Sequence, residues 1–260
     1  MIWYKASFEK KIVMYNPFSL EGKTILITGA SSGIGRATAV ECAKFGAKCI
    51  ITGRNADRLQ ETYDALEGSG HMLVIADLSA QEGINLLADI SPNVDGLVNN
   101  AGIGFVKPVM FVNQEDLEKV FQVNTFAPIL LTKALLRKKK LNKQGSIVFM
   151  SSISAFGSNI GRSVYGASKS AIMAYMHYCA RELASKLIRV NAVHPAMTDT
   201  PLIHSGSLTE DDRLRDMEQY PLKRYAKPEE IAYAIIYLLS DASAWTTGTS
   251  LIVDGGLSLI

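Results

Sequence analysis

Cysteine is scarce and unpaired in this chain. Only three occur in 260 residues, Cys42, Cys49 and Cys179, and no two share a CxxC spacing. That excludes a disulfide framework and a zinc ribbon, and fits reduced thiols in a cytoplasmic protein. Long apolar runs are also missing. The longest in the C-terminal half, Ile231 to Leu239, has nine residues and includes two tyrosines, far short of the ~20 that a membrane span needs. Nor is there an excess of charge of either sign. Lys and Arg total 27 against 25 Asp and Glu, a net charge of +2, which argues against a nucleic-acid-binding protein. Repeats, low-complexity tracts and Gly/Ser linkers are absent. The four histidines, His71, His177, His194 and His204, form no metal-ligand spacing with one another or with cysteine, so no catalytic metal is expected. His194, before Pro195, is expected to be a buried structural histidine.

What is present is the composition of a globular protein, 48% hydrophobic and 20% charged. Residues 1–18 differ from the rest and are expected to form an N-terminal extension, with Met14 as an alternative initiator. They hold neither the apolar core of about 7–15 residues nor the cleavage site of a signal peptide. From residue 19 to 260 a single domain is expected. Short, continuous apolar runs alternate with helix-period segments. The expected strands are Thr24–Thr28, Lys48–Thr52, His71–Ala76, Val94–Val98, Ser146–Ser151, Ile188–Val193 and Ser250–Val253. Continuous apolar strands are buried on both faces, as in parallel sheets. The expected helices are Gly35–Phe45, Asp57–Glu67, Gln114–Lys138, Val164–Lys186 and Pro228–Leu239. The alternation predicts an α/β fold: one Rossmann-type, doubly wound parallel sheet of about seven strands with helices on both faces. Pro201–Tyr225 breaks the rhythm, and is read as a flexible substrate loop or a solvated excursion.

The first strand runs directly into Thr28-Gly29-Ala30-Ser31-Ser32-Gly33-Ile34-Gly35, which opens the first helix. Glycines there permit a tight turn and let a pyrophosphate approach the backbone. The helix N-terminus then offers free N–H groups to the phosphates. The spacing TGxxxGxG resembles the cofactor turn of the classical short-chain dehydrogenase/reductase family. Four further features match in order and spacing: Asn99-Asn100-Ala101-Gly102 after the fourth strand, Tyr165-Gly166-Ala167-Ser168-Lys169 as YxxxK, Ser152 thirteen residues before Tyr165, and Asn124 in Val123-Asn124-Thr125. The resemblance runs from about Leu20 to the C-terminus.

That resemblance implies a nicotinamide cofactor held by Gly29, Ser31, Ser32, Gly33, Ile34 and Gly35, with Asp77 and Leu78 flanking the adenine. Asn99, Ala101 and Gly102 would lie along the adenosine side, and Pro195, Thr198 and Thr200 would hold the carboxamide. In this chain Ala196 replaces the usual Gly of that last segment, and Thr198 the usual Val or Ile. Family members that use NAD carry an acid eighteen residues after the last glycine. Gly53 stands there and Arg54 follows. A guanidinium fork suits a 2′-phosphate, so NADP(H) is expected, although Ser32 stands where many NADP-dependent relatives have a basic residue.

Carbonyl reduction needs a proton donor, and a free tyrosine is too weak an acid, with a pKa near ~10. Lys169 follows Tyr165 at i+4, so both point to one helix face, where an ammonium would lower the phenol's pKa. The resemblance also implies that Lys169 contacts the nicotinamide ribose, that Ser152 bonds the substrate oxygen, with Ser151 as the adjacent alternative, and that Asn124 keeps a relay water. The pocket wall is expected from Phe105, Ile153–Phe156 and Pro201–Tyr220. The resemblance is strongest to bacterial 3-oxoacyl-[acyl-carrier-protein] reductases. It implies docking of an acidic acyl carrier protein at Lys143 and Lys186, beside Arg137-Lys138-Lys139-Lys140; a solvated helix end is the plainer reading of those charges. Sugar, steroid and other alcohol dehydrogenases share the same framework, and a non-catalytic NADP-binding scaffold is a further alternative. Relatives are usually homotetramers, and the apolar tail Leu257–Ile260 would suit burial in an interface.

Overall fold

A computed structural model describes residues 15–157, 159–204 and 209–259. The first fourteen residues, the tip of the expected substrate loop and Ile260 therefore lie outside the described residues. The seven strands are β1 (Thr24–Thr28), β2 (Lys48–Gly53), β3 (Met72–Ile75), β4 (Val94–Asn99), β5 (Leu141–Met150), β6 (Arg189–Pro195) and β7 (Ser250–Val253). They form one parallel sheet in the order β3-β2-β1-β4-β5-β6-β7.

Each strand is apolar on both sides because helices cover both faces. Leu26, Ile50, Leu97, Phe149 and Ala192 belong to one core. It is closed by α3 (Gln81–Ile90), α5 (Ala127–Arg137) and α6 (Ser163–Leu183). Their strand neighbours Ile25, Ile27, Ile51, Val98, Val148 and Val193 belong to the other. That core is closed by α1 (Gly33–Lys44), α2 (Ala56–Asp64) and α9 (Pro228–Leu239). The alternation is the period-2 geometry of a strand. Each of these fully buried Leu or Ile side chains contributes about 1.5–3 kcal/mol.

The strand order reverses between β1 and β4. The chain runs outward from β1 to β3, then crosses back to β4 and builds the other half. The connections leave the carboxyl ends of β1 and β4 in opposite directions, which opens a crevice there. The turns after β1, β2, β3, β4, β5 and β6 all meet at this edge.

Several elements differ from expectation. α3 was not anticipated. Gly83 lies inside it, but Ile84, Leu87 and Ala88 supply a buried helical stripe. The expected helix Gln114–Lys138 is three pieces: α4 (Gln114–Phe121), a π turn (Gln122–Phe126) and α5. β5 starts earlier, because Leu141 pairs with Val94 before a register shift. Pro201–Tyr225 is not a plain loop. It contains α7 (Pro201–His204) and α8 (Glu210–Met217), and Thr209 closes a capping box with Asp212. Tyr220 and Tyr225 are buried edge to face, their ring centres 5.7 Å apart. The end of the expected N-terminal extension is tied down: Pro17 accepts a hydrogen bond from the Ala242 N–H at 2.9 Å. Among the described residues no helix is long and apolar enough to cross a membrane.

Candidate active site

Thr28 ends β1 and its hydroxyl fastens the crevice. It donates to the Val98 carbonyl at 3.2 Å and accepts from the N–H groups of Asn100 and Ala101, each at 3.0 Å. The Asn100 amide reaches back and donates to the Thr28 carbonyl at 2.9 Å and the Gly29 carbonyl at 3.3 Å. The motif alone assigns Asn100 no role. Its only sequence signal is its place beside Asn99. The glycines are required by this packing. Gly29 has φ +66°, and a Cβ on it would stand 2.8 Å from Ala101 Cα. A Cβ on Gly35 would stand 2.2 Å from the Gly29 carbonyl oxygen.

Beyond this turn α1 begins without a cap. Ser32 makes no side-chain capping bond, and no acid occupies the first turn. The N–H groups at the positive end of the helix dipole are thus left for a ligand. Ser31, Ser32 and Ile34 are half-buried around them. Asn99 is buried and donates to the Thr132 hydroxyl at 3.2 Å, while its carbonyl oxygen has no partner among the described residues. A glycine cradle, uncapped donors and an orphaned buried acceptor together fit a dinucleotide.

At the far end of the crevice Gly53 packs against Ser31, so a Cβ there would meet the Ser31 side chain at 3.2 Å. Arg54 is exposed beside it. Asp77 accepts from the Ser79 hydroxyl at 2.7 Å and N–H at 2.9 Å; these bonds, then the nearby Arg54 charge, hold its carboxyl below the usual range. Leu78 is buried. Arg54, Ser79, Ile103, Gln122 and Val123 line a cleft of about 760 Å³, shared with Glu118 and Lys119 of α4. Thr200 packs against the glycine turn after β6, and Thr198 pairs with Ala226. Both are buried, and a Cβ on Gly33 would meet the Thr200 methyl at 3.1 Å. Ala196 is tolerated in its segment, where its N–H donates to the Val253 carbonyl at 3.2 Å.

The other expected residues converge at the exits of β5 and β6. Ser152 is buried just past β5, where its hydroxyl accepts from the Ser154 N–H at 3.1 Å and bears on the Tyr165 phenol. Ser151 is engaged elsewhere, donating to the Lys169 carbonyl at 3.0 Å. Lys169 is buried, donates to the Met150 carbonyl at 2.8 Å, and lies 5.8 Å from the centre of the Tyr165 ring. Burial pushes its ammonium down to about 8. Tyr165 differs from expectation. Burial raises its pKa above the ordinary tyrosine value, and what opposes the rise is the Ser152 hydroxyl and the charge of Arg162. Asn124 sits in the π turn, a distortion frequent at functional sites. Its amide is fully used: it accepts from the Ile103 N–H at 2.8 Å and donates to the Ile103 carbonyl at 3.0 Å and the Ser168 hydroxyl at 3.2 Å. Gly102 is packed between Asn124 and Lys169, with a Cβ there 3.3 Å from Lys169 Nζ. Among the described residues no cluster of His, Cys, Asp or Glu could hold a metal ion.

Two expectations are modified by position. Lys143 and Lys186 are exposed at the starts of β5 and β6. Ser152 is at the opposite edge, about 30 Å along the strand direction at ~3.3 Å per residue. His194 is fully buried, as expected, yet it touches the site: its Nδ1–H donates to the Ser152 carbonyl at 3.2 Å, with the Phe156 ring 4.7 Å away.

A family profile described as Enoyl-(Acyl carrier protein) reductase matches residues 29–258. The 3-oxoacyl-[acyl-carrier-protein] reductase FabG of Thermotoga maritima is 36% identical over 92% of this chain and 98% of its own. Among solved structures, the short-chain dehydrogenase/reductase SDR:Glucose/ribitol dehydrogenase from Brucella melitensis superposes with a TM-score of 0.87 at 32% identity, covering 93% and 99% of the two chains. A structure from Beutenbergia cavernae, with NADP bound at low occupancy, gives 0.85 at 32% identity, covering 94% and 100%.

Burial lowers His194 from 6.5 to about 4, against the pull of its bond to Ser152. Between those pH values the unfolded chain binds the extra proton and the folded one does not, so stability falls as pH drops through the window. Urea denaturation at several pH values should show this acid loss, of a few kcal/mol, reduced in His194→Gln; identical slopes for both proteins would remove the assignment.

Proposed function

As the chain belongs to the short-chain dehydrogenase/reductase family, oxidoreductases that bind a nicotinamide cofactor, we propose that it reduces a ketone to a secondary alcohol with NADP(H), and that Tyr165 donates the proton. The observation that carries this reading is the meeting of Ser152, Tyr165 and Lys169 beside the glycine cradle, on two rigid elements, the exit of β5 and α6. When bound, NADPH supplies the hydride. Ser152 holds the substrate oxygen through the hydroxyl that also meets Tyr165, so proton donor and acceptor share one partner. Lys169, buried at the i+4 position, balances charge developing on the phenolate. Asn124 keeps the relay water through its main-chain carbonyl, since both ends of its amide are taken.

Arg54 receives the 2′-phosphate, and Gly53 leaves room for it. The substrate class favoured is a 3-oxoacyl thioester, in line with the reductase relative; the glucose/ribitol dehydrogenase neighbour supports a sugar or other small alcohol as the second reading. Phe105, Ile153 and Phe156 present an apolar wall suited to an acyl chain. The protein is proposed to work in the cytoplasm as a homotetramer, with Leu259, exposed in the single chain, buried in an interface. An acyl carrier protein docked at Lys143 and Lys186 is too far from the Ser152 of the same chain, and would serve a neighbouring copy.

Tyr165→Phe should lower turnover about 10²–10⁴-fold and leave NADPH affinity unchanged in a fluorescence titration. Retained turnover would end the proton-donor role. Arg54→Ala should raise KM for NADPH ~10–100-fold, the worth of a charge-assisted phosphate contact, and leave KM for NADH nearly unmoved; equal effects would reverse the cofactor assignment. NADPH oxidation with acetoacetyl thioesters, carrier-bound and free, beside simple ketones and sugars should favour the thioesters. Preference for a sugar would select the second reading, and NADPH binding without turnover of any substrate would leave a non-catalytic scaffold.

A further inference from the structure

Arg162 stands three residues before Tyr165. It is the N-cap of α6, where its carbonyl accepts from the Gly166 N–H at 2.7 Å and its own N–H donates to the Asn159 carbonyl at 3.1 Å. Positions 162, 165 and 169 follow i, i+3, i+7, so they share one helix stripe. Along that stripe the Tyr165 ring lies between two cations. The Arg162 guanidinium carbon is 5.7 Å from its centre and Lys169 Nζ is 5.8 Å away. Both lie within the ~6 Å reach of a cation–π contact. Arg162 forms no ion pair with any carboxylate among the described residues. Its charge is therefore directed at the ring rather than spent on a neighbour.

We propose that Arg162 is a second cation acting on the Tyr165 phenol, and that it holds the acidity of that phenol together with Lys169. The inference rests on the proton-donor role proposed for Tyr165. The groups facing Tyr165 are few. From α6 there are Arg162 and Lys169, and from the exit of β5 the Ser152 hydroxyl. His194 on β6 stands behind Ser152 and is neutral above about 4. No carboxylate bears on the phenol. The two cations differ in durability. Burial brings Lys169 to about 8, so its charge fades below the range in which the Tyr165 phenol, raised above its ordinary value, ionises. A guanidinium keeps its charge throughout that range. A phenolate is thus opposed by burial and supported on its outer side by a charge that does not titrate. Arg162 is a positioning and tuning residue in this role. It does not need to touch the substrate.

The test is a titration of Tyr165 itself, which requires neither cofactor nor substrate. Tyrosinate absorbance is followed after a stopped-flow pH jump, ahead of alkaline unfolding, in the unmodified protein, Arg162→Gln and Arg162→Lys. Each is corrected with the matching Tyr165→Phe protein. Arg162→Gln should raise the Tyr165 midpoint by about half to one pH unit. Arg162→Lys should keep most of the original midpoint. The pH profile of ketone turnover should move by the same amount, with KM for a neutral ketone unchanged. An unmoved midpoint in Arg162→Gln overturns the proposal. So does a loss confined to KM for carboxylate-bearing substrates with the profile in place, which would make Arg162 a substrate contact. A shifted midpoint in a protein that turns over no ketone supports Arg162 as the tuning cation and removes the proposed function instead.

Discussion

The hydroxyl of Thr28 and the amide of Asn100 decide whether this crevice exists. A parallel sheet whose order reverses leaves the exits of β1 and β4 diverging, and the backbone there has no ladder to pair with. One buried hydroxyl takes three of those groups, and one amide takes two more. Each bond is worth about 1 kcal/mol net, but a buried group left unpaired costs about 1–3 kcal/mol, so the set behaves as a unit. The close approaches at Gly29 and Gly35 follow from it: the turn can be that tight because Asn100 holds both of its carbonyls.

The same tie reaches the reacting centre through a continuous path. The loop that leaves Asn100 passes Gly102, packed against Lys169, and then Ile103, whose N–H and carbonyl are both bound by Asn124. Asn124 reaches Ser168 on α6, and the neighbouring Thr125 donates to the Ser168 carbonyl at 3.1 Å. From the other side, Ser151 bonds the Lys169 carbonyl, Lys169 bonds the Met150 carbonyl, and His194 bonds the Ser152 carbonyl. α6 is thus pinned between the exits of β4, β5 and β6. The π turn is where that pinning is accommodated, since a regular helix would bring a different set of side chains to α6. These bonds position the donors before any ligand arrives, which is the arrangement that catalysis by orientation requires.

Much of this was legible in the sequence because it is local. The glycine turn and the YxxxK spacing are short-range patterns, Ser152 was marked by the spacing of the family the chain resembles, and the structure brings Ser152, Tyr165 and Lys169 together. Strand existence was legible from continuous apolar runs, as Thr24–Thr28 and Ser250–Val253 show. What escaped was set by contacts far apart in the chain. α3 was hidden by Gly83, which is placed there because a Cβ would stand 2.0 Å from the Asp77 carbonyl oxygen. The π turn has no sequence signature, since it is imposed by Ile103 and Ser168. The helices between Pro201 and Tyr225 are short and polar, and the burial of Tyr220 and Tyr225 depends on each other. The direction of the Tyr165 shift escaped for a similar reason: i+4 spacing places the ammonium, but only the assembled pocket determines how much water both groups lose.

That loss of water acts on the two groups in opposite directions by one cause. Desolvation disfavours whichever form is charged, so it pulls the lysine down and pushes the tyrosine up. A phenol and an ammonium that titrate close together in water are thereby driven toward a neutral pair. For the proposed reduction this has a use. A phenol that keeps its proton at rest is loaded as an acid, and parts with it only when negative charge builds on the oxygen that Ser152 holds. Too high a pKa would make it a poor donor. The Ser152 hydroxyl and the Arg162 guanidinium pull it back, beside the Lys169 ammonium at the same ring. The site's acidity is therefore a balance between how deeply α6 is buried and how many donors and cations meet the ring, and it is the second quantity, carried by individual side chains, that sequence change can adjust without disturbing the fold.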